Sequence, residues 1–450
     1  MSDSHLIIGV SGMRGIVFDP LSPEVCTRAA AAFAGVVGRG TVVVGRDTRP
    51  SGEILKMAVI SGLAAAGADV VDLGIVPTPT VQLAVEHHKA SGGIAVTASH
   101  NPAQWNALKF VSRAGTFLEK PDVDKVAAAL KSGPVAYAAA AGAGRVRADL
   151  EACARHIALV LALPYVQPSA IARRGFKVAI DCVNGAAAAA IPDLLSRLGC
   201  KVLKLDCELS GAFTRNPEPL AENLGLLGAL VRREGADLGF GFDPDGDRLA
   251  VVDERGEPLG EDYTLAICAD LVLKRKKGPL VTNLSTSLAV EDVAGRHGVS
   301  FARTPIGEIN VVAGMKRAGA VIGGEGNGGV ILPEAHYGRD ALVGVALVLQ
   351  ALLESGGTLS AMMSAHTKYV IVKQKIAFDQ APDFDRLAGA IRAAFAGASF
   401  NLEDGIRADL GGSWVHVRRS GTEPVVRVIA EASDRDAATA LAQRARSAVE

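Results

Sequence analysis

The sequence predicts an α/β protein: three similar mixed α/β domains and a C-terminal α+β domain, set around a central cleft. Three observations carry this. A strand–helix–glycine–strand unit occurs three times, the pattern then changes to strict alternation, and 450 residues are too many for one compact core.

The first unit opens with the β-branched run Thr41–Gly45 (TVVVG). A helical stretch follows from Gly52 to Ala66, then Gly67 and the apolar run ADVVDLG. The second starts at Lys177–Asp181 (KVAID), continues as a helix from Ala187 to Leu198, and passes Gly199 into CKVLKLD. The third starts with PLVTNL at Pro279, runs through a helix to Val293, and passes Gly298 into VSFART. In each, the glycine reads as a helix C-cap between two strands. Strands joined through a helix are parallel neighbours, so each unit implies a helix-covered sheet. In such sheets, sites form at loops beyond the carboxyl ends of strands.

From Lys368 the chain reads KYVIVKQKIAF, then a helix from Phe384 to Phe395, strands WVHVR and VVRVIAE, and a closing helix from Arg435. Alternation predicts an antiparallel sheet with one wet face. The expected domains are 1–150, 151–255, 256–367 and 368–450.

With a net charge of −1, the chain has no global attraction for nucleic acid or an anionic membrane, so a small anion must be bound locally. The apolar stretch Ala341–Leu353, interrupted by Gly344 and Gln350, is shorter than the roughly 20 residues of a bilayer span. MSDSHLIIGV lacks the basic and apolar regions of a signal peptide, and the six cysteines include no C-x-x-C pair. Both features predict a cytoplasmic protein with reduced thiols.

Four loops carry the chemistry. In Ala95–Pro102 (AVTASHNP) an apolar strand ends in a polar turn presenting Ser99, with His100 and Asn101 beside it. Alone, this is equally a surface turn. Lys109, on the following NALKF segment, is placed to clamp a phosphate or move a proton, unless it is simply a solvated strand lysine.

The second loop, Asp243-Pro-Asp-Gly-Asp-Arg248, puts three carboxylates at alternate positions. They repel one another unless a cation sits among them, and hard oxygen donors favour Mg²⁺. An EF-hand is rejected because Arg248 occupies the position that needs glycine and because the flanks read as strands. A rival remains in the haloacid-dehalogenase pattern D-x-D-G, in which Asp243 would carry the phosphoryl group.

The third loop, Gly323–Gly329 (GGEGNGG), offers Glu325 and Asn327 to paired hydroxyls, although it also suits a flexible turn. In the fourth, Arg418–Pro424 (RRSGTEP), two guanidinium groups, two hydroxyls and a glycine-freed backbone suit a phosphate; a hairpin with solvated arginines is the alternative. The spacing of His336-Tyr-Gly-Arg-Asp340 assigns it no role.

TASHNP, DPDGDR, GGEGNGG and RRSGTEP, in this order, resemble the signature loops of the α-D-phosphohexomutase superfamily, which contains phosphoglucomutases, phosphomannomutases and phosphoglucosamine mutases. SGMRG at Ser11 and GRDTRPSG at Gly45 resemble its N-terminal motifs, so the likeness spans essentially the whole chain.

The resemblance implies that Ser99 is a phosphoserine and that Asp243, Asp245 and Asp247 hold Mg²⁺, with Ser99's phosphate as a further ligand. Arg14, His100 and Lys109 are implied near the reacting groups. Arg248, Glu325 and Asn327 are implied on the sugar side, and Arg418, Ser420, Gly421 and Thr422 on the phosphate not being transferred. The implied reaction interconverts hexose 6-phosphate and hexose 1-phosphate through a hexose 1,6-bisphosphate, in a monomer or homodimer, with the fourth domain closing to exclude water.

Two departures stand out. Where many members read G-E-x-S-G-H, Asn327 and Gly329 replace the serine and histidine; where many read T-K-V-G, the chain has Thr304-Pro305-Ile306-Gly307. GEGNGG with HYGRDAL and TASHNPAQWNALKF most resembles the branch labelled phosphoglucosamine mutase, which makes glucosamine phosphate the expected substrate ahead of mannose or glucose phosphate. A haloacid-dehalogenase-type phosphotransferase and a non-catalytic sugar-phosphate- or cation-binding module are the alternatives.

Overall fold

The computed structural model describes residues 6–9, 12–133, 135–378, 383–419 and 425–450. One four-strand topology recurs three times. The strands are Thr41–Arg46, Asp69–Ile75, Gly92–Val96 and Trp105–Ser112 in the first unit. They are Lys177–Asp181, Lys201–Leu205, Leu238–Phe242 and Leu249–Val252 in the second. In the third they are Leu280–Asn283, Phe301–Thr304, Ile322–Glu325 and Gly329–Ile331. In every unit the second and third strands flank the first in parallel, and the fourth returns antiparallel on the third. The first sheet is extended to seven strands by Val146–Ala148 on one edge and by Gly12–Ile16 and Ile7–Gly9 on the other.

This repetition has a direct consequence for the site. The Ser99 turn, the aspartate loop and the Glu325 loop each join the third strand to the fourth. They are the same loop in three copies of one fold.

The strand–helix–strand reading holds in the first and third units, where helices Pro50–Ala65 and Leu288–His297 follow the first strands. The second unit needs a correction. Instead of one helix from Ala187 to Leu198, a 3-10 turn at Ala186–Ala189 breaks at Ala190 (φ −131°) before helix Ile191–Arg197. Pro192 explains the break: it has no N–H to donate, its ring collides with the preceding turn, and it is tolerated at the start of a new helix.

A single core serves the second and third units. Phe240 and Phe242 from one sheet, Leu280 and Ile322 from the other, and helices Glu261–Arg275 and Ala341–Ser355 pack together. The long apolar run at Ala341 is thus buried between two sheets. No helix among the described residues is long and apolar enough to cross a membrane.

The fourth unit is antiparallel throughout, in the order Val370–Ala377, Val425–Ala432, Trp414–Arg419, Ile406–Asp409, Ser399–Asn401. Helices Phe384–Ala394 and Arg435–Val449 cover the face made by Ile376, Val415, Val417, Val426 and Val428. The opposite face carries Arg418 and His416 toward the third unit. All six cysteines are free.

Candidate active site

Ser99 sits in the turn after Gly92–Val96 with φ +49°, a left-handed conformation that is unfavourable for any residue with a Cβ. The turn is moulded by Arg49, whose side chain is 0% exposed. Its Nη2 donates to the carbonyls of Ser99 (2.7 Å) and Asn101 (2.6 Å), and its Nη1 to those of Pro102 (2.8 Å) and Trp105 (3.1 Å). Arg49 Nε donates to Asp47 Oδ2 (3.0 Å), which also accepts from Thr97 Oγ1 (2.7 Å). The Ser99 amide donates to Thr97 Oγ1 at 3.0 Å, closing the frame. The GRDTRPSG motif therefore shapes the serine loop, a role its own spacing does not disclose.

Ser99 Oγ donates to Asp243 Oδ2 at 2.8 Å, across two units. Asp243, Asp245 and Asp247 are buried, with ligand atoms all within 4.8 Å of one another. Asp243 Oδ1 accepts from the amides of Asp247 and Arg248, each at 3.2 Å. Asp245 Oδ2 accepts from Lys109 Nζ (2.6 Å) and Thr78 Oγ1 (2.7 Å). Lys109 Nζ also lies 3.6 Å from Asp247 Oδ2. Asp245 Oδ1 and Asp247 Oδ1 are buried and have no hydrogen-bond partner among the described residues. Buried acceptors left bare are costly, and these two belong to a cluster of three carboxylates. The donor set fits a hard divalent cation. The flanks are the strands Leu238–Phe242 and Leu249–Val252, as the rejection of an EF-hand requires.

The electrostatics are uneven. Burial, then the neighbouring Asp247 and Asp245, push the Asp243 carboxyl well above its ordinary range. Burial alone would do the same to Asp245. There the Lys109 ammonium and the hydrogen bonds from Lys109 and Thr78 outweigh it and hold the carboxyl low. Burial opposes the charge on Lys109, but Asp245 and Asp247 win and raise its pKa. The Arg248 guanidinium, and then burial, hold His100 well below the usual imidazole range; its Nδ1 lies 3.4 Å from Ser99 Oγ. Arg248 Nη1 donates to Glu218 Oε1 at 3.1 Å. Arg14, on Gly12–Ile16, lines a cavity of about 400 Å³ with Ser99, His100, Lys109 and Arg248.

A second cavity of about 350 Å³ shares His100 and is lined by Glu218, Asn283, Glu325, Asn327 and Arg418. All four units contribute to it, which makes it the central cleft. Glu325 Oε1 accepts from Asn283 Nδ2 (2.9 Å) and the Gly307 amide (3.1 Å). Glu325 Oε2 accepts from Arg339 Nη1 (2.8 Å) and, at 3.4 Å, from Asn327 Nδ2. Arg418 binds Asp404 through Nε (3.0 Å) and Nη2 (2.8 Å), and Asp404 Oδ2 accepts from the Ile306 amide (2.9 Å). Ser420, Gly421 and Thr422 lie outside the described residues. Arg339, Glu308, Thr78 and Asp404 were not singled out from the sequence, because each meets its partners only through the fold.

Three topologically equivalent loops and a fourth antiparallel unit, converging on paired cavities, define a four-domain enzyme architecture. The chain belongs to the phosphoglucomutase/phosphomannomutase family. Residues 5–135, 154–256 and 260–369 match the family's alpha/beta/alpha domains I, II and III, and residues 370–448 match its C-terminal domain. The chain is 36% identical over 450 residues to a phosphoglucomutase/phosphomannomutase of Thermococcus kodakarensis, covering 96% of each chain. It is 35% identical over 438 residues to a probable phosphoglucosamine mutase of Methanopyrus kandleri, covering 96% of this chain and 95% of that one. A crystal structure of a phosphoglucomutase/phosphomannomutase family protein from Burkholderia thailandensis superposes with a TM-score of 0.86 at 27% identity, covering 98% and 96%.

Proposed function

We propose that the chain is a cytoplasmic phosphohexomutase. In this reading it interconverts hexose 6-phosphate and hexose 1-phosphate through phospho-Ser99 and a hexose 1,6-bisphosphate, as a monomer or homodimer, with domains at 1–150, 151–255, 256–367 and 368–450. The observation that carries it is the Ser99 hydroxyl 2.8 Å from Asp243, beside two bare carboxylate oxygens.

In the first half-reaction a sugar hydroxyl oxygen attacks the phosphorus of phospho-Ser99. The P–Oγ bond breaks, Ser99 Oγ takes up a proton as it leaves, and the hydroxyl proton passes to a neighbouring base. In the second, Ser99 Oγ gives up its proton as it attacks the other phosphoryl group of the bisphosphate, the P–O bond to the sugar breaks, and the departing sugar oxygen takes up a proton. His100 Nδ1 lies 3.4 Å from Ser99 Oγ, next to the reacting oxygen, but the Arg248 guanidinium that keeps it neutral also makes it a weak base. Lys109, whose ammonium lies 2.6 Å from Asp245, is placed to clamp the phosphoryl group. Asp243, Asp245 and Asp247 would hold Mg²⁺, which when bound offsets charge on the transferring phosphoryl group. Arg14 and Arg248 add positive field, and Arg418 with Ser420, Gly421 and Thr422 grips the phosphate that is not transferred.

On the sugar side, Asn327 makes the longest of Glu325's contacts, so it is the donor that a sugar hydroxyl replaces. Glu218 and Glu325 line that cavity together with Lys373, Lys375, Arg418 and Arg427, a lining that suits a sugar phosphate. Glucosamine phosphate is the preferred substrate in this reading, supported by the likeness to a probable phosphoglucosamine mutase. The aspartyl-phosphate alternative is disfavoured because all four parts of the chain match the phosphoglucomutase/phosphomannomutase domains.

The test is a coupled assay with added hexose bisphosphate, comparing glucosamine 6-phosphate, mannose 1-phosphate and glucose 1-phosphate. Ser99→Ala and Asp245→Asn are each expected to abolish turnover in a folded protein, and mass spectrometry is expected to find alkali-labile phosphate on Ser99. Full activity in either variant, or a hydroxylamine-sensitive phosphate on Asp243, would overturn the mechanism.

A further inference from the structure

One side chain of the HYGRDAL segment reaches three carboxylates at once. Arg339 Nη2 donates to Asp247 Oδ2 (2.6 Å), Nε to Glu308 Oε2 (2.9 Å) and Nη1 to Glu325 Oε2 (2.8 Å). Asp247 belongs to the cation loop of the second unit. Glu325 ends a strand of the third, and Glu308 opens helix Glu308–Ala318. Arg339 is 8% exposed, and its three partners are buried as well. A guanidinium presents donors in a rigid planar fork, so one arginine can serve three acceptors where a lysine ammonium cannot hold the same span.

The backbone beneath Arg339 is fixed. The next residue, Asp340, caps helix Ala341–Ser355 through Oδ1, which accepts from the amides of Leu342 (2.8 Å) and Val343 (3.2 Å). Asp340 Oδ2 meets His156 (2.8 Å) and His336 (3.0 Å).

A second observation concerns Gly329. A Cβ there would lie 2.3 Å from Arg339 Cδ and 2.8 Å from its Cγ. Gly329 starts the strand Gly329–Ile331, where the backbone itself makes no demand for glycine. Its amide donates to Asn327 Oδ1 at 3.1 Å. Of the two positions at which this loop departs from the common pattern, Gly329 lies against Arg339, and Asn327 meets Glu325 Oε2, the carboxylate oxygen that Arg339 holds, at 3.4 Å.

We propose that Arg339 is a positioning residue that couples the sugar-reading loop to the cation-binding loop, and that residue 329 is glycine to admit it. The proposal rests on the functional reading above. Arg339 orients Glu325 toward the sugar and Asp247 toward the cation, so a shift of one carboxylate is transmitted to the other. Cation and sugar phosphate then tighten each other's binding, reciprocally.

The test is a double-mutant cycle on the full chain, with Arg339→Gln, Glu325→Gln and the pair. Each single variant should lose about 100-fold in kcat/KM, the scale of a misplaced contact, and the pair should lose no more than the worse single. Arg339→Lys, which keeps the charge, should not restore kcat. Gly329→Ala, which leaves the guanidinium present but displaced, should fall in the same direction. Mn²⁺ affinity, measured with and without glucose 6-phosphate, supplies a readout independent of turnover. Sugar phosphate should tighten Mn²⁺ binding in the wild type, and Arg339→Gln should lose most of that gain. Multiplicative losses in the cycle, or an unchanged gain in Arg339→Gln, would overturn the proposal while leaving an active wild type and its mutase reading intact. A wild type inactive on every hexose phosphate would instead sink that reading and the proposal with it.

Discussion

Ser99 holds a conformation that its own side chain opposes. Glycine accepts φ +49° freely, whereas any residue with a Cβ is strained there by about 1 kcal/mol. Ser99→Gly and Ser99→Ala remove the same hydroxyl, but only the glycine removes the strain. Both variants should be inactive, and Ser99→Gly should be about 1 kcal/mol more stable than Ser99→Ala in urea unfolding. Equal stabilities would mean that the Arg49 frame does not impose the turn. At this scale, what the sequence disclosed depended on separation along the chain. Ser99 and the three aspartates were readable because each group of signals lies within a few residues. Arg339 was not, because its partners are 14, 31 and 92 positions away and no local pattern announces them. Arg49 was quoted only as part of a motif, since its partners are backbone carbonyls about 50 residues on.

Helix Ala341–Ser355 shows what periodicity can and cannot disclose about an element. Nearly every residue from Ala341 to Leu352 is buried, so the helix has no wet face for an amphipathic pattern to reveal. Its one strongly polar interior residue, Gln350, is satisfied by accepting from the Gln167 amide at 2.9 Å. Because this helix fills one core shared by two sheets, damage to it should not be confined to either. Leu347→Ala, at a site with 0% exposure, should cost about 2–5 kcal/mol. Hydrogen exchange should then show equal loss of protection in Lys177–Asp181 and Leu280–Asn283. Loss confined to the third unit would argue for separate cores. The broken helix before Pro192 is a different case: the proline was visible in the sequence, and helical periodicity on both sides concealed its effect.

In the whole molecule, the placement of the fourth unit against the third completes the cleft, and a buried histidine lies in that contact. His416 Nε2 donates to the Asp404 carbonyl at 2.6 Å, which leaves Nδ1 to accept from Ser285 Oγ at 2.8 Å. Nearby, the Leu288 amide donates to Glu431 Oε2 (2.9 Å), and Arg407 donates to the Leu284 carbonyl. Burial first, then Arg418 and Arg407, push the His416 pKa down from 6.5 to about 4. In the unfolded chain the imidazole titrates near 6.5. Above that pH both states are neutral and the histidine imposes no penalty. As pH falls from 6.5 to 4, the unfolded chain takes up a proton that the folded chain refuses, so stability falls with pH across that window. The full loss is about 3 kcal/mol. Other groups titrate in the same range, so the comparison must be made against His416→Gln, whose amide can still donate to Asp404. Between pH 7 and pH 4.5, the stability advantage of the wild type over this variant should narrow by about 2–3 kcal/mol in urea unfolding. An advantage that stays constant over that interval would mean that His416 is protonated where it sits, and that the contact between the third and fourth units tolerates a buried imidazolium.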